Sequence, residues 1–549
     1  MTYSGHADTF AEDRLPPADA MPELTFALPE TRYPEKINAA AWLLDRNVES
    51  GNGDRRCILA PGHVTWSYRD LLRAANRIAA VLIEEYGLVS GNRVLLRAAN
   101  TPMLVACWFA VLKAGGVAVT TMPLYRAGEL RFMIEKSQVN LALCDRRLHE
   151  ELSAACAGRE GFRTAYFGSD DSDSLETRMA ARSGEFVNLE TAAQDVALIA
   201  FTSGTTGTPK AAMHYHRDLP ATCDTYGARV LQPRRDDLFC GSAPLAFTFG
   251  LGGHVLFPFF AGAATLLLEK GGPEELLRGV AEYGVTTLFT APIAYRAMCG
   301  AIERYDLSSL RSCVSAGETL PKPVWEAWHE KTGLKILDGI GSTEMLHIFV
   351  GSPESDVRAG STGRVVPGYV AEIHDDDGRR VPNGAVGRLA VKGPTGCKYL
   401  DDDRQRSYVQ NGWNYPGDAY RMDDDGYLWY VARTDDMIVS AGYNISGPEV
   451  EEALLAHADV KEVAVVAKPH LEKETHIVKA FVVLEAGAAG DATKAEELQA
   501  FCVARMAPFK APREIEFVAE LPRTQTGKVQ RYKLRLKAAA EREAGSSRM

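Results

Sequence analysis

The run Thr202-Ser203-Gly204-Thr205-Thr206-Gly207-Thr208-Pro209-Lys210 directly follows the apolar segment Val196 to Phe201 and carries the sharpest chemical signal in the chain. Its glycines let a backbone approach an anion, and its N–H groups and hydroxyls can surround phosphate oxygens. Lys210 adds a positive charge. The pattern lacks the Gly-Lys-Ser/Thr of a kinase-type P-loop, and Ala211 to His216 alternates like a strand instead of opening a helix. By composition alone the segment is equally a plain Gly/Thr hairpin loop. Five later stretches pair glycine or turn residues with a charged group: Ser315 to Thr319, Asp338 to Glu344, Tyr415 to Asp418, Arg433 to Asp436 and Pro522 to Lys528. Each in isolation also reads as a turn.

The elements that must position these residues alternate. Helix-period segments are interspersed with short β-branched runs such as Arg93 to Leu96, Val117 to Thr121 and Val139 to Cys144, the pattern of an α/β fold. Beyond about residue 360 the texture turns to strands, with Asp-Asp-Asp-Gly at 375–378 and 423–426 closing expected hairpins. After Asp435, a helix over Pro448 to His457, strands over Val463 to Ala467 and Ile477 to Leu484, and a helix over Lys494 to Met506 are expected. The expected division is a disordered start at 1–23, a large domain at 24–434, a small C-terminal domain at 435–538 and a polar tail at 539–549. The apolar stretch Phe247 to Leu268 holds four glycines and Pro258, and is expected to be a buried loop and strand beside a ligand, not a membrane span.

At 549 residues the chain can bury a sizeable core, and its net charge of -11 speaks against a nucleic-acid partner. The ten cysteines show no CxxC pair and no metal spacing, so reduced thiols are expected. The polar, proline-bearing start has no apolar core of a signal peptide; the expected address is cytoplasmic, without a membrane partner.

The 202–210 segment resembles the phosphate loop of the acyl-adenylate-forming superfamily, and the other motifs recur in that family's order over nearly the whole chain. The resemblance implies an α/β body of mixed sheets and helices with a small β-barrel region, followed by a small mobile α+β C-terminal domain. It implies an AMP-forming acid–CoA ligase using ATP, Mg2+ and coenzyme A. Nucleotide contacts would come from Thr202, Ser203, Gly204, Thr205, Thr206 and Gly207, from Gly317, Glu318 and Thr319, and from Asp338, Gly339, Ile340, Gly341, Ser342 and Thr343. Asp338 would accept from the adenine amino group, Asp418 would bind the ribose, and Arg433 would lie on the nucleotide. Glu344 would hold the metal. Lys210 and Lys528 would act in catalysis, Lys528 in the adenylation half-reaction. Asp435 would be the hinge that brings Gly442 and Tyr443 to coenzyme A. Pro416 and Ala432 depart from the Thr/Ser and Gly usual in the family.

The run Gly341 to Phe349 resembles benzoate–CoA ligases, while Lys392 to Leu400 and His214 to Asp218 are most similar to the 2-aminobenzoate (anthranilate) branch. On that resemblance Thr248, Phe249, Ala316, Gly341, His347 and Ile348 line a short, flat aryl pocket. For His347, a hydrogen-bonded core histidine is the competing reading, and His216 is expected to be structural. The expected substrate is 2-aminobenzoate. The alternatives are benzoate, or an adenylating enzyme that loads an aryl acid onto a separate carrier protein. The protein is expected to be a monomer or homodimer.

Overall fold

Runs of Val, Leu, Ala and Thr buried on both faces become parallel strands wherever the chain returns through a helix. The computed structural model describes residues 3–202, 209–440, 443–470, 476–506, 508, 510–523, 527 and 529–546. Among these, a six-stranded sheet has the spatial order Arg163–Phe167, Leu141–Asp145, Arg93–Arg97, Val117–Thr121, Val196–Thr202, Lys210–Tyr215. The first five run parallel and the last is antiparallel to its neighbour.

A nine-stranded sheet has the order Arg364–Val365, Ile348–Gly351, Ile336–Gly341, Ser312–Ser315, Thr287–Thr290, Leu238–Gly241, Ala264–Leu266, Arg56–Ala60, Val64–Ser67. Its centre is parallel, and Ile336–Gly341 pairs antiparallel with Ile348–Gly351. Each large sheet therefore includes a hairpin, and both hairpins hold residues singled out in the sequence. Helices begin where the sequence supplies caps. Ser67 and Asp70 form a capping box at Tyr68–Glu84, and Thr101 caps Pro102–Lys113 with proline in the first turn.

Beyond residue 364 an antiparallel six-stranded sheet includes Val370–His374, Val386–Lys392, Asp418–Met422 and Leu428–Arg433. Both Asp-Asp-Asp-Gly turns lie here, with Gly378 at φ 76° and Gly426 at φ 82°. The last region builds a three-stranded sheet from Val460–Pro469, His476–Leu484 and Glu514–Phe517, flanked by helices Gly447–Leu455, Ala492–Val503 and Arg531–Ser546.

Three expectations are corrected. Residues 3–23 are packed rather than disordered: Ser4 Oγ and Gly5 N bond to the Asp195 carboxylate at 2.6 and 2.8 Å, Asp8 pairs with Arg93, and Phe10 is buried under the Arg93 guanidinium. Directional contacts hold this stretch, which its low apolar content concealed. The tail from 539 continues the helix Arg531–Ser546, because Ala538 to Ala540 favour helix and the first glycine comes at 545. The stretch 247–268 is mainly helical, through Thr248–Leu251, Gly252–Leu256 and Phe257–Ala261, before the strand Ala264–Leu266. Among the described residues no helix is long and apolar enough to cross a membrane.

Candidate active site

The hairpin of the six-stranded sheet pairs Thr202 with Lys210 across its mouth, so the lysine stands where the Gly/Thr loop begins and ends. Positions 203–208, with Ser203, Gly204, Thr205, Thr206 and Gly207, lie outside the described residues. Lys210 Nζ donates to the Tyr399 hydroxyl at 3.3 Å, and that hydroxyl donates to Glu344 Oε1 at 2.5 Å. Burial, and then the Glu344 charge, push the Tyr399 hydroxyl far above its ordinary pKa, so it remains a donor. Glu344 is buried, and its Oε2 has no hydrogen-bond partner among the described residues. A single buried carboxylate with one oxygen uncommitted suits a hard cation that takes its remaining ligands from phosphate and water, so the residue fits Mg2+.

Glu344 projects from the turn that joins Ile336–Gly341 to Ile348–Gly351. Glycine is required on the way in: a Cβ on Gly339 would stand 2.8 Å from Ile348 Cγ2, and one on Gly341 would stand 2.6 Å from the His347 carbonyl oxygen. Ile340 lies between them, and the ladder bulges before Gly341. Ser342 Oγ accepts from Met345 N at 3.2 Å and shares a hydrogen bond with the Tyr408 hydroxyl at 2.9 Å. The Thr343 carbonyl accepts from His214 Nε2 at 2.8 Å.

Asp338 pairs in register with Ser315 on the neighbouring strand. The residue is half-buried overall, but its Oδ1 is buried without a partner among the described residues. Burial pushes its carboxyl up to about 8, against a smaller opposing contribution from the Gly339 N–H. It can therefore present both a donor and an acceptor at neutral pH. Ala316 is buried at the end of Ser312–Ser315; Gly317, at φ 93°, then turns the chain outward so that Glu318 is half-buried and Thr319 exposed.

Asp418 and Arg433 face each other on adjacent strands and form an ion pair at 3.0 Å. Arg433 Nη1 also donates to the Pro416 carbonyl at 3.0 Å, so Pro416, though lacking an N–H, still contributes an acceptor. Gly417, at φ 85°, leaves the space that the guanidinium fills. The backbone of Asp435 lies in the short turn Thr434–Asp436, and that of Tyr443 opens the strand Tyr443–Ser446. Gly442 and Lys528 lie outside the described residues.

His347 is buried in an aromatic wall. Its ring centre is 5.7 Å from Phe249 in a stacked pair, 5.5 Å from Tyr226, 4.7 Å from Phe257 and 6.5 Å from Phe289. Burial lowers its pKa to about 3 against a smaller opposing contribution from the Phe249 backbone, and neither ring nitrogen has a partner in hydrogen-bond geometry among the described residues. It is thus a neutral, buried histidine. Thr248 and Ile348 are buried nearby, at the starts of Thr248–Leu251 and Ile348–Gly351. Gly252 abuts the ring, since a Cβ there would lie 2.3 Å from His347 Nε2.

The structure unites Lys210 with Glu344 and His347 with Phe249. It also adds groups whose part was not read from the sequence: Tyr399, Tyr408, His214, and the wall residues Tyr226, Phe257 and Phe289. No local spacing links positions 210, 344 and 399. His216 is buried and accepts from Ala39 N through Nδ1, a tie between chain segments.

The profile of the AMP-binding enzyme family matches residues 44–398. The chain belongs to the AMP-binding enzyme family. The profile of the AMP-binding enzyme C-terminal domain matches residues 449–528. Among relatives of this AMP-binding enzyme, the benzoate–CoA ligase of Thauera aromatica is 34% identical over 92% of this chain and 97% of its own. The crystal structure of the anthranilate CoA ligase AuaEII in complex with anthranoyl-AMP superposes with a TM-score of 0.87 at 31% identity, over 93% of this chain and 99% of that one. A benzoate CoA ligase from Burkholderia xenovorans LB400 gives a TM-score of 0.82 at 32% identity, over 91% and 100%. The α/β body and small C-terminal region are those of the superfamily, and the AMP-binding enzyme described here is an AMP-forming acid–CoA ligase.

Proposed function

We propose that this ligase activates a small aryl carboxylate, 2-aminobenzoate best and benzoate next, as an aryl-adenylate and transfers it to coenzyme A. The observation that carries this reading is His347, whose two ring nitrogens have no partner among the described residues and are set in a wall of Phe249, Tyr226, Phe257 and Phe289. Flat rings stack on such a wall, and an ortho amino group can donate to the neutral imidazole. The similarity to benzoate and anthranilate CoA ligases supports the same substrate class.

In the first step the aryl carboxylate oxygen attacks the α-phosphorus of ATP, an aryl-adenylate forms, and pyrophosphate departs. Lys210 and the 202–207 loop would steady the departing phosphates, and Asp338, with Gly339 to Thr343 and Gly317 to Thr319, would hold the adenine side. Asp418, its charge oriented by Arg433, would accept from the ribose hydroxyls. Glu344 would hold Mg2+, which when bound neutralises phosphate charge. Lys528 would stabilise the charge developing between carboxylate and phosphate.

Residues 435–538 would then turn as a unit about Asp435, bringing Gly442 and Tyr443 to the site. The coenzyme A thiol, losing its proton, attacks the mixed-anhydride carbonyl and AMP leaves. The decisive measurement is coenzyme A-dependent AMP release across acetate, octanoate, coumarate, benzoate and substituted benzoates. Highest kcat/KM for 2-aminobenzoate, then benzoate, is expected. Preference for octanoate or coumarate over every benzoate would refute the aryl pocket and leave the ligase reading standing.

A further inference from the structure

Behind the turn that carries Glu344 lies a buried charged network to which the two-step chemistry assigns no part. Lys398 and Asp218 are both fully buried and pair at 3.0 Å. Lys398 Nζ also donates to the Gly396 carbonyl at 2.9 Å, and Asp218 Oδ2 accepts from Tyr215 N at 3.0 Å. Burial alone would raise the Asp218 carboxyl, but the Lys398 ammonium beside it outweighs burial and holds it well below the usual carboxylate range. His214, also fully buried, donates through Nε2 to the Thr343 carbonyl at 2.8 Å, while its Nδ1 lies 3.8 Å from Asp218 without a hydrogen bond among the described residues.

That carbonyl accepts a second bond, from Leu346 N at 3.1 Å, and Leu346 sits at φ 71°, a left-handed conformation unfavourable for a branched residue. The turn therefore needs holding from outside. Thr395 Oγ1 supplies a second pin, donating to the Met345 carbonyl at 2.8 Å, and Tyr399 of the same segment reaches Glu344 itself. A buried ion pair stabilises a fold little, since desolvation offsets its attraction; what it supplies is a fixed position.

We propose that the His214–Asp218–Lys398 network, with Thr395, is the positioning support of the Glu344 turn. Segment 395–399 would then tune the phosphate and metal side of the site rather than the acyl pocket. His214 acts through the Thr343 carbonyl and touches no reactant. The inference rests on the metal role proposed for Glu344.

The test uses the full chain with a non-hydrolysable α,β-methylene ATP. Mn2+ affinity is read by electron paramagnetic resonance, and 2-aminobenzoate affinity by its fluorescence. His214→Leu is expected to weaken Mn2+ binding about 10- to 100-fold, the usual range for a group that supports a metal ligand, with acid affinity changed less than about twofold. His214→Gln, whose amide can still donate to the carbonyl, should restore most of the loss. Thr395→Val, which frees the other carbonyl without touching the ion pair, should weaken Mn2+ in the same direction and serves if His214→Leu does not fold. Unchanged Mn2+ affinity in His214→Leu, equal loss of metal and acid binding, or no rescue by Gln would each overturn the proposal. Glu344→Gln separates the two readings. If it does not weaken Mn2+, the metal role fails and this inference with it; if it does while His214→Leu does not, only the support role falls.

Discussion

The Tyr399 hydroxyl stands between Lys210 and Glu344, accepting from the lysine ammonium at 3.3 Å and donating to the carboxylate at 2.5 Å. It links the hairpin of one large sheet to the turn of the other, and the Ala212–Tyr399 backbone bridge fixes its place. Tyr399→Phe keeps the ring and removes both bonds. A hydrogen bond to a charged group contributes about 1.5–3 kcal/mol, so if the transition state uses one of the two, adenylation measured by pyrophosphate exchange is expected to fall roughly 10- to 100-fold. Thioester formation from a pre-made aryl-adenylate should change little, because that step no longer involves the β- and γ-phosphates. Equal loss in both half-reactions would show that Tyr399 only supports the fold.

Asp338 gives a pH signature. Its carboxyl is raised from an ordinary value near 3.8 to about 8, so between those pH values the folded state holds a proton that the unfolded state has released. Stability from this group is complete below about pH 3.8 and is lost as pH rises toward 8, by at most about 1.4 kcal/mol per pH unit. Asp338→Asn should remove that dependence, so the variant gains stability relative to the parent as pH rises from 5 to 8. Parallel Tm-versus-pH curves would count against a raised carboxyl. ATP affinity of the variant should stay within several-fold of the parent below pH 8, since the asparagine amide, like the protonated carboxyl, offers one donor and one acceptor.

Gly252 tests the closeness of the pocket wall. A methyl there would lie 2.3 Å from His347 Nε2 and 2.9 Å from Phe257 Cε2, too near for either ring to stay in place. Overpacking of this kind costs about 1–3 kcal/mol. Gly252→Ala should lower Tm and raise KM for the acid several-fold more than KM for ATP. A uniform rise in both would place the displaced ring outside the acyl pocket.

How much of this was legible in the sequence differs by region. The buried runs at 93–96 and 117–121 read as strands because every residue faces a core. The strands at 463–467 and 477–484 also stand where periodicity puts them, within Val460–Pro469 and His476–Leu484. The helical turns of 248–261 did not read as helix, because their glycines and Pro258 break the pattern, while packing against the aromatic wall holds them. Tyr226, Phe257 and Phe289 look like ordinary core aromatics, and only tertiary contact with His347 distinguishes them. Segment 392–400 looked like a mark of the acyl substrate, yet Thr395 and Lys398 are buried supports and Tyr399 faces Lys210 and Glu344. Sequence similarity registers that a segment belongs to a branch of relatives without saying which part of the site it serves.

The last prediction concerns how an amino group on the ring is distinguished from hydrogen. His347 has its pKa lowered to about 3, so it is neutral throughout the working range and cannot attract the substrate carboxylate as a cation. A neutral imidazole offers one donor and one acceptor, and both nitrogens are unspent. An ortho amino group can fill the acceptor, a bond of about 0.5–1.5 kcal/mol net, whereas benzoate leaves it empty. The preference for 2-aminobenzoate over benzoate should therefore be roughly 2- to 12-fold in kcat/KM. His347→Phe preserves the flat ring beside Phe249 and removes both nitrogens. It is expected to retain benzoate activity within several-fold and to bring the two acids to near-equal kcat/KM. The preference in the parent enzyme should stay flat from pH 6 to 9, since no charge on His347 changes there. A preference that survives His347→Phe, or one that grows as pH falls toward 6, would assign the reading of the amino group to another residue.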